Sequence, residues 1–203
     1  DEIPDGIQAI FYEWFSWIYT DEQKYKEFYR EVIGLIILSD NPLPIYEIQK
    51  IVEGWDENIV NDFVRAMEPF LTISYDYGNV KSISFAHKYM QDWIESETSG
   101  CYHVDVTPIG RKLVATLKEE RHRKCLSLYE VEQLYEWILS YGSLEDKNEI
   151  LMDVDVQNQF IITANYFRDY NEHRRQRNCY YCLWEIATYS YKISEDIIYL
   201  NNA

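Results

Sequence analysis

Few residues in this 203-residue chain have types and spacing suited to chemistry. His87 stands alone in "FAHKYMQDWI" (85–94), where a strand pattern gives way to a helix pattern. An imidazole at that junction can ligate a metal, act as a base, sense a bound group, or simply pack as a ring. Cys179 and Cys182 form a single C-x-x-C, with His173 a short way upstream. A tetrahedral zinc site needs four ligands, and no fourth residue has suitable spacing. On a helix the two thiols share a face beside Leu183 and serve as small apolar groups. No metal site is expected here, and with no cysteine or histidine partners His87 is left without metal chemistry too.

Other chemistries lack their motifs. There is no G-x-x-x-x-G-K-[ST], and the seven glycines are isolated, so nothing is expected to cradle a triphosphate. G-x-S-x-G and H-E-x-x-H are also missing, and the chain by itself is not expected to be an enzyme. Two basic clusters interrupt the acidity. "RHRK" (121–124) follows a predicted helix end, where cations favour the macrodipole. "HRRQR" (173–177) lies near a helix start, and reads either as an ion-pairing patch or as a solvated loop.

These residues need elements to hold them, and the composition supplies a core. Hydrophobic residues make up 47% of the chain and aromatics 16%, with six Trp and 19 Tyr. The longest apolar run, "VIGLIIL" at 32–38, falls well short of the ~20 residues that span a bilayer. No secretory leader opens the sequence, and four cysteines do not make a disulfide framework, so a reduced cytoplasmic protein is expected. The start, "DEIPDG", has no methionine and suggests a piece of something longer.

"QAIFYEWFSWIY" predicts a first helix. A second, capped by Asp21, carries Tyr25, Phe28, Tyr29, Val32, Ile33 and Ile36 in one stripe and stops at "SDNPLP". Two shorter helices follow over 45–54 and 56–70. The latter is capped by Asp56, with Ile59 or Val60, Phe63 or Val64, and Met67 inward. "LTISYDYGNVKSISF" changes the period to two, which predicts a hairpin that alternates Leu71, Ile73, Tyr75 and then Val80, Ile83 or Phe85 around "DYGN". "HKYMQDWIESE" then resumes helix. Helix, short helix, helix, hairpin, helix is the order of a winged helix.

From residue 105 the pattern is helical to the end. Thr107 is the expected cap of the first of these helices, with Pro108 at its first position. Later stripes run through Leu128, Val131, Leu134 or Tyr135, and Ile138; then Val156, Phe160, Ala164 and Phe167; then Tyr180, Leu183 or Trp184, Ala187 and Tyr191. Polar stretches such as "GSLEDKN" are read as connectors. The expected fold is mainly α: N-terminal helices and a winged-helix domain over 1–104, and an antiparallel bundle or repeat-like array over 105–203.

A winged helix raises the question of DNA, and the charges argue against it. Net charge is −16, and the segment that would enter the major groove carries Asp56, Glu57, Asp62 and Glu68 against Arg65 alone. The wing has one lysine, Lys81. Phosphate contact needs positive charge before any base is read, so no nucleic-acid partner is expected.

A winged helix without a basic face, after two aromatic helices and before a helical array, resembles the segment that follows the ATPase core in STAND NTPases of the NACHT type. "IPDGIQAIFYEWFSWIYTDEQKYKEFYREVIGLIILSDNPLPIYEI" is similar to that family's P-x-G-[LI], F-Y-x-x-[WF]-F and apolar-helix-to-turn stretch. "MEPFLTISYDYGNVKSISFAHKYMQDWI" follows its L-x-P-[FL]-L, hairpin and F-x-H-x-[ST]-F-x-[DE]-[FYW]-[LI] pattern. Phe85, His87, Asp92, Trp93 and Ile94 match the last motif, while Tyr89 and Met90 replace its Ser/Thr and Phe. "CYHVDVTPIGRKLVATLKEE" continues the likeness to about residue 120, and 125–203 matches only as a helical region.

The resemblance implies an intracellular signalling or defence protein, bound to ADP or ATP in its full-length form but with no cofactor in this piece. It implies that His87 reaches the β-phosphate of ADP held in the adjacent ATPase domain. The competing expectation for His87 is a strand-end ring hydrogen-bonded in the core. The implied partners are that ATPase domain, other proteins through the helical region, and further copies on activation, with neither nucleic acid nor membrane. The alternative is a winged-helix transcriptional regulator or protein–protein adaptor.

Overall fold

The computed structural model describes residues 5–76, 79–119 and 124–201. The chain is mainly helical, with one small antiparallel sheet, and divides into two compact units, Asp1–Gly110 and Arg111–Ala203. The division lies inside a helix, α7 (Thr107–Leu117), rather than ahead of it at 104/105. Packing explains this. Ile109, in the first turn of α7, lies against Gly34 and is held in the first unit.

In the first unit α1 (Asp5–Ile18) leads into one helical rod built from α2 (Glu22–Lys24), a π-helical turn (Tyr25–Tyr29) and α3 (Arg30–Ile37). Asp21 caps the rod as expected, accepting from the Gln23 and Lys24 amides at 3.0 Å. The predicted single stripe is too narrow: all six residues from Val32 to Ile37 are buried. α3, the last part of the rod, has core on more than one side, while residues 22–24, Lys26 and Glu27 at its start are exposed. After β1 (Leu43–Pro44) come α4 (Ile45–Ile51) and α5 (Glu57–Ala66), with Asp56 accepting from the Ile59 amide at 2.9 Å. The helix expected over 56–70 stops at Ala66. Pro69 cannot extend the ladder, and Glu68–Phe70 forms a 3₁₀ turn instead.

The hairpin forms as β2 (Leu71–Asp76) and β3 (Val80–Phe85), with Ile73 opposite Ile83. Its inward alternation holds only in part. Leu71 is buried, whereas Ile73 and Tyr75 are 39% and 65% exposed. The reason is the strand order β1–β3–β2: β2 is an edge strand, and it leaves the core after its first residue. Sequence period does not register β1, a two-residue strand whose proline is tolerated because it lies at the other edge. Tyr77 and Gly78 of the expected turn lie outside the described residues.

After the hairpin come α6 (Lys88–Glu95) and a 3₁₀ segment (Glu97–Tyr102). Rings from four elements meet at Phe15, which lies 5.2 Å from Trp93, 5.4 Å from Tyr102 and 6.2 Å from Tyr25 between centroids. The Tyr25 hydroxyl donates to the Tyr102 carbonyl at 2.7 Å inside this cluster, which satisfies a phenol that burial keeps neutral. Thr107 is the first residue of α7 rather than its cap, and its amide donates to Asp105 at 2.9 Å.

In the second unit α8 (Leu128–Tyr141) and α9 (Leu144–Leu151) both open on capping boxes, Ser127 with Glu130 and Ser143 with Asp146. The expected connector "GSLEDKN" is thus a helix start, since S-x-x-D meets two otherwise unpaired end amides. α10 (Val154–Asp169) buries Val156, Phe160, Ala164 and Phe167 as its period predicts. It turns through Asn171, at φ +60°, into α11 (His173–Asn201). The predicted stripe of α11 is out of phase. Cys179 and Ile186 are buried, while Tyr180, Trp184 and Tyr191 are 45%, 61% and 63% exposed. With aromatics on several faces, ring size does not mark the inner one.

Gly34→Ala is expected to cost about 1–3 kcal/mol in urea unfolding, because a Cβ there collides with Ile109 Cδ1 and presses Val104 Cγ1 at 3.3 Å. Ile109→Val removes that methyl and should recover most of the loss in the double variant. In the second unit Lys118 bonds Asp146 at 2.8 Å, and that bond, followed by those from Ser143, holds the Asp146 carboxyl down to about 2. The folded pKa is lower than the unfolded one. The stabilisation is therefore present above about pH 4 and is lost as pH falls towards 2. In thermal melts from pH 6 to pH 2, the advantage of the parent over Asp146→Asn should shrink across that window.

Candidate functional site

The site begins with the inner face of α6. Met90, Trp93 and Ile94 are buried and fix the helix to the aromatic cluster, with Trp93 lying 5.7 Å from Phe11 and 5.2 Å from Phe15. Each such ring pair contributes about 0.5–1.5 kcal/mol beyond its buried area. The Ile94 carbonyl accepts from the Val104 amide at 3.0 Å, and the Gln91 side chain donates to the Ile37 carbonyl at 3.4 Å. Just before the helix, the Ala86 amide donates to the Phe70 carbonyl at 2.8 Å.

With that face fixed inward, helical phase sends His87, Lys88 and Tyr89 outward. Together with half-buried Asp92 they line a concavity of about 460 Å³. His87 is the N-cap of α6, in extended conformation (φ −139°, ψ 134°), and its carbonyl accepts from the Met90 amide at 3.1 Å. Its ring is exposed and makes no capping hydrogen bond. A packed, core-bonded ring is therefore not what the structure holds, because the pattern that buries Met90, Trp93 and Ile94 leaves no room inside for position 87.

An uncapped helix start presents first-turn amides and the positive end of the helix dipole. Around it are an imidazole, the Lys88 ammonium and the Tyr89 phenol, all able to donate to an anion, with the Asp92 carboxylate on the same side. The sequence pattern names His87 and treats Tyr89 only as a departure. Lys88 and Tyr89 are found by continuing the helical phase, because positions flanking a buried 90/93/94 face must share the outer one.

The other candidates are not brought together. His173 is exposed at the first turn of α11, Cys179 is buried and Cys182 half-buried. Among the described residues no three His, Cys, Asp or Glu side chains are grouped to hold a metal ion. Burial pushes the thiols up to about 12 for Cys179 and about 11 for Cys182, so both remain protonated. Arg175 of "HRRQR" has a structural partner, Glu132, at 3.1 Å, and lies over the Phe167 ring. In "RHRK", positions 121–123 lie outside the described residues. On α5, Arg65 is paired with Asp62 at 3.3 Å. No described helix is long and apolar enough to cross a membrane.

Compared with protein-family models, curated proteins and solved structures, the chain matches none.

The thiols give a direct check of this geometry. Exposed Cys125 should be alkylated within minutes at pH 8, while Cys179 should stay unlabelled until denaturant is added, as followed by intact mass and peptide mapping. Labelling of Cys179 at the rate of Cys125 would contradict the packing of α11.

Proposed function

We propose that the chain is a non-catalytic regulatory segment from a NACHT-type STAND NTPase, comprising the winged-helix module and the helical region after it. In this reading the first unit docks on the ATPase domain of the longer cytoplasmic protein and favours its ADP-bound off state. The second unit serves sensing or protein contacts, and release of the first allows copies to assemble.

One observation carries the proposal. His87 stands exposed at an uncapped helix start, on the outer side of a helix whose inner side is fixed by Trp93 and Ile94. A ring presented that way can donate to a phosphate oxygen supplied by another domain, with only its own side chain left to be ordered. The element order around the hairpin supports the same reading, and so does the acidic face of α5, where Asp62 cancels Arg65 and leaves no cation for a DNA backbone.

The mechanism is a coupling between nucleotide and domain position. ADP in the ATPase domain gains a hydrogen bond only when the first unit is docked, so bound ADP favours docking and docking slows ADP release. Hydrogen bonds to charged groups are worth about 1.5–3 kcal/mol, enough for roughly a tenfold effect or more. His87→Ala in the full-length protein should shorten ADP retention by at least about tenfold and raise basal activation. Since the ring is exposed, the same substitution in the 203-residue chain should leave its thermal melt unchanged. Unaltered retention and unaltered activation together would remove His87 from the mechanism. The 203-residue chain alone should bind ADP weakly or not at all by calorimetry.

A further inference from the structure

The π-helical turn at Tyr25–Tyr29 borders a groove of about 550 Å³ whose other side is formed by Ile59 and Asp62 of α5. Its wall is aromatic and firmly backed. Phe28 stacks on buried Trp55 at 5.0 Å, and Tyr29 lies 4.9 Å from Tyr19 and 6.4 Å from Phe63 between centroids. Its rim holds three carboxylates, each engaged at one oxygen. Asp21 Oδ1 accepts the α2 amides, Glu27 Oε1 accepts from the Gln23 side chain, and Asp62 Oδ1 accepts from Arg65. The second oxygen of each makes no hydrogen bond among the described residues.

A cation already tests the wall. Lys24 Nζ lies 5.8 Å from the Tyr29 ring centre, with no ion pair among the described residues. That ammonium marks a place where positive charge is favourable over an aromatic face, though it sits near the distance limit of such contacts. A guanidinium suits the groove better. It is planar, stacks on an aromatic ring, and offers paired donors to a carboxylate edge. Rings held by their neighbours need little reordering to receive it. A net charge of −16 also draws basic segments to the chain in general.

From these features we infer that the groove between the π-turn and α5 is a docking site for an arginine-bearing segment of a partner protein. One arginine stacks on the Phe28/Tyr29 wall and bonds the free oxygens of Glu27 and Asp62, displacing Lys24 from Tyr29. The site is independent of His87 and of the nucleotide mechanism proposed above.

Fluorescence anisotropy on the 203-residue chain tests it, using a labelled short peptide that carries three arginines and its lysine and citrulline counterparts. The arginine peptide should bind saturably, several-fold tighter than the lysine peptide and at least about tenfold tighter than the citrulline one. Glu27→Gln with Asp62→Asn should weaken it about tenfold, while Glu145→Gln with Asp155→Asn, exposed acids of the second unit, should change it less than twofold. Thermal melts of both double variants verify folding. Equal binding of the arginine and lysine peptides with equal losses in both variants would reduce the effect to net charge and overturn the site. So would no saturable binding, or competition by spermidine as effective as by unlabelled arginine peptide.

Discussion

The meeting of Phe15, Tyr25, Trp93 and Tyr102 is the contact on which the first unit depends. These rings come from α1, the π-turn, α6 and the 3₁₀ segment, so one cluster ties together elements far apart in sequence. The buried Tyr25 phenol finds its partner within the cluster, in the hydrogen bond to the Tyr102 carbonyl. Both surfaces with chemical interest follow from this. α6 turns its polar side out because its apolar side is taken up here. The π-turn presents Phe28 and Tyr29 near the surface because the same rod places Tyr25 inside.

Much of the fold was legible wherever one physical signal stood alone. Asp21 and Asp56 cap helices because their side chains are short acceptors placed just ahead of apolar periods. The α10 stripe of Val156, Phe160, Ala164 and Phe167 was plain because its four residues keep an unbroken three-and-four spacing, although Ile161 and Ile162 lie exposed on another face. Reading failed where two signals coincide. On α11, rings large enough for a core lie outside, while Cys179, a small residue, lies inside. On β2, alternation is present but the strand lies at an edge, and edge position is a tertiary fact.

The site was legible in one residue. His87 drew notice because its type is rare in this chain and it falls at a change of period. What could not be read was whether the ring points in or out, which depends on the phase that Met90, Trp93 and Ile94 impose from the far side of the helix. The π-turn groove left no trace in the sequence, because it pairs residues near 21–29 with residues near 59–62 and requires a local irregularity in the helix. A π-turn inserts one residue into the helical repeat and shifts every later side chain around the axis. Regular periodicity therefore cannot reveal which residues around 25–29 face outward.

The clamp on α6 has a mechanical consequence. Since Trp93 is gripped by rings of α1, and the helix is bonded at Ile94 and Gln91, His87 has no hinge of its own beyond side-chain rotation. To carry it several ångströms, the chain must move α1, the rod and the sheet with it as one rigid lever. The pivot of such a lever then lies outside that clamped assembly, so the substitutions that alter how freely His87 swings belong far from the histidine.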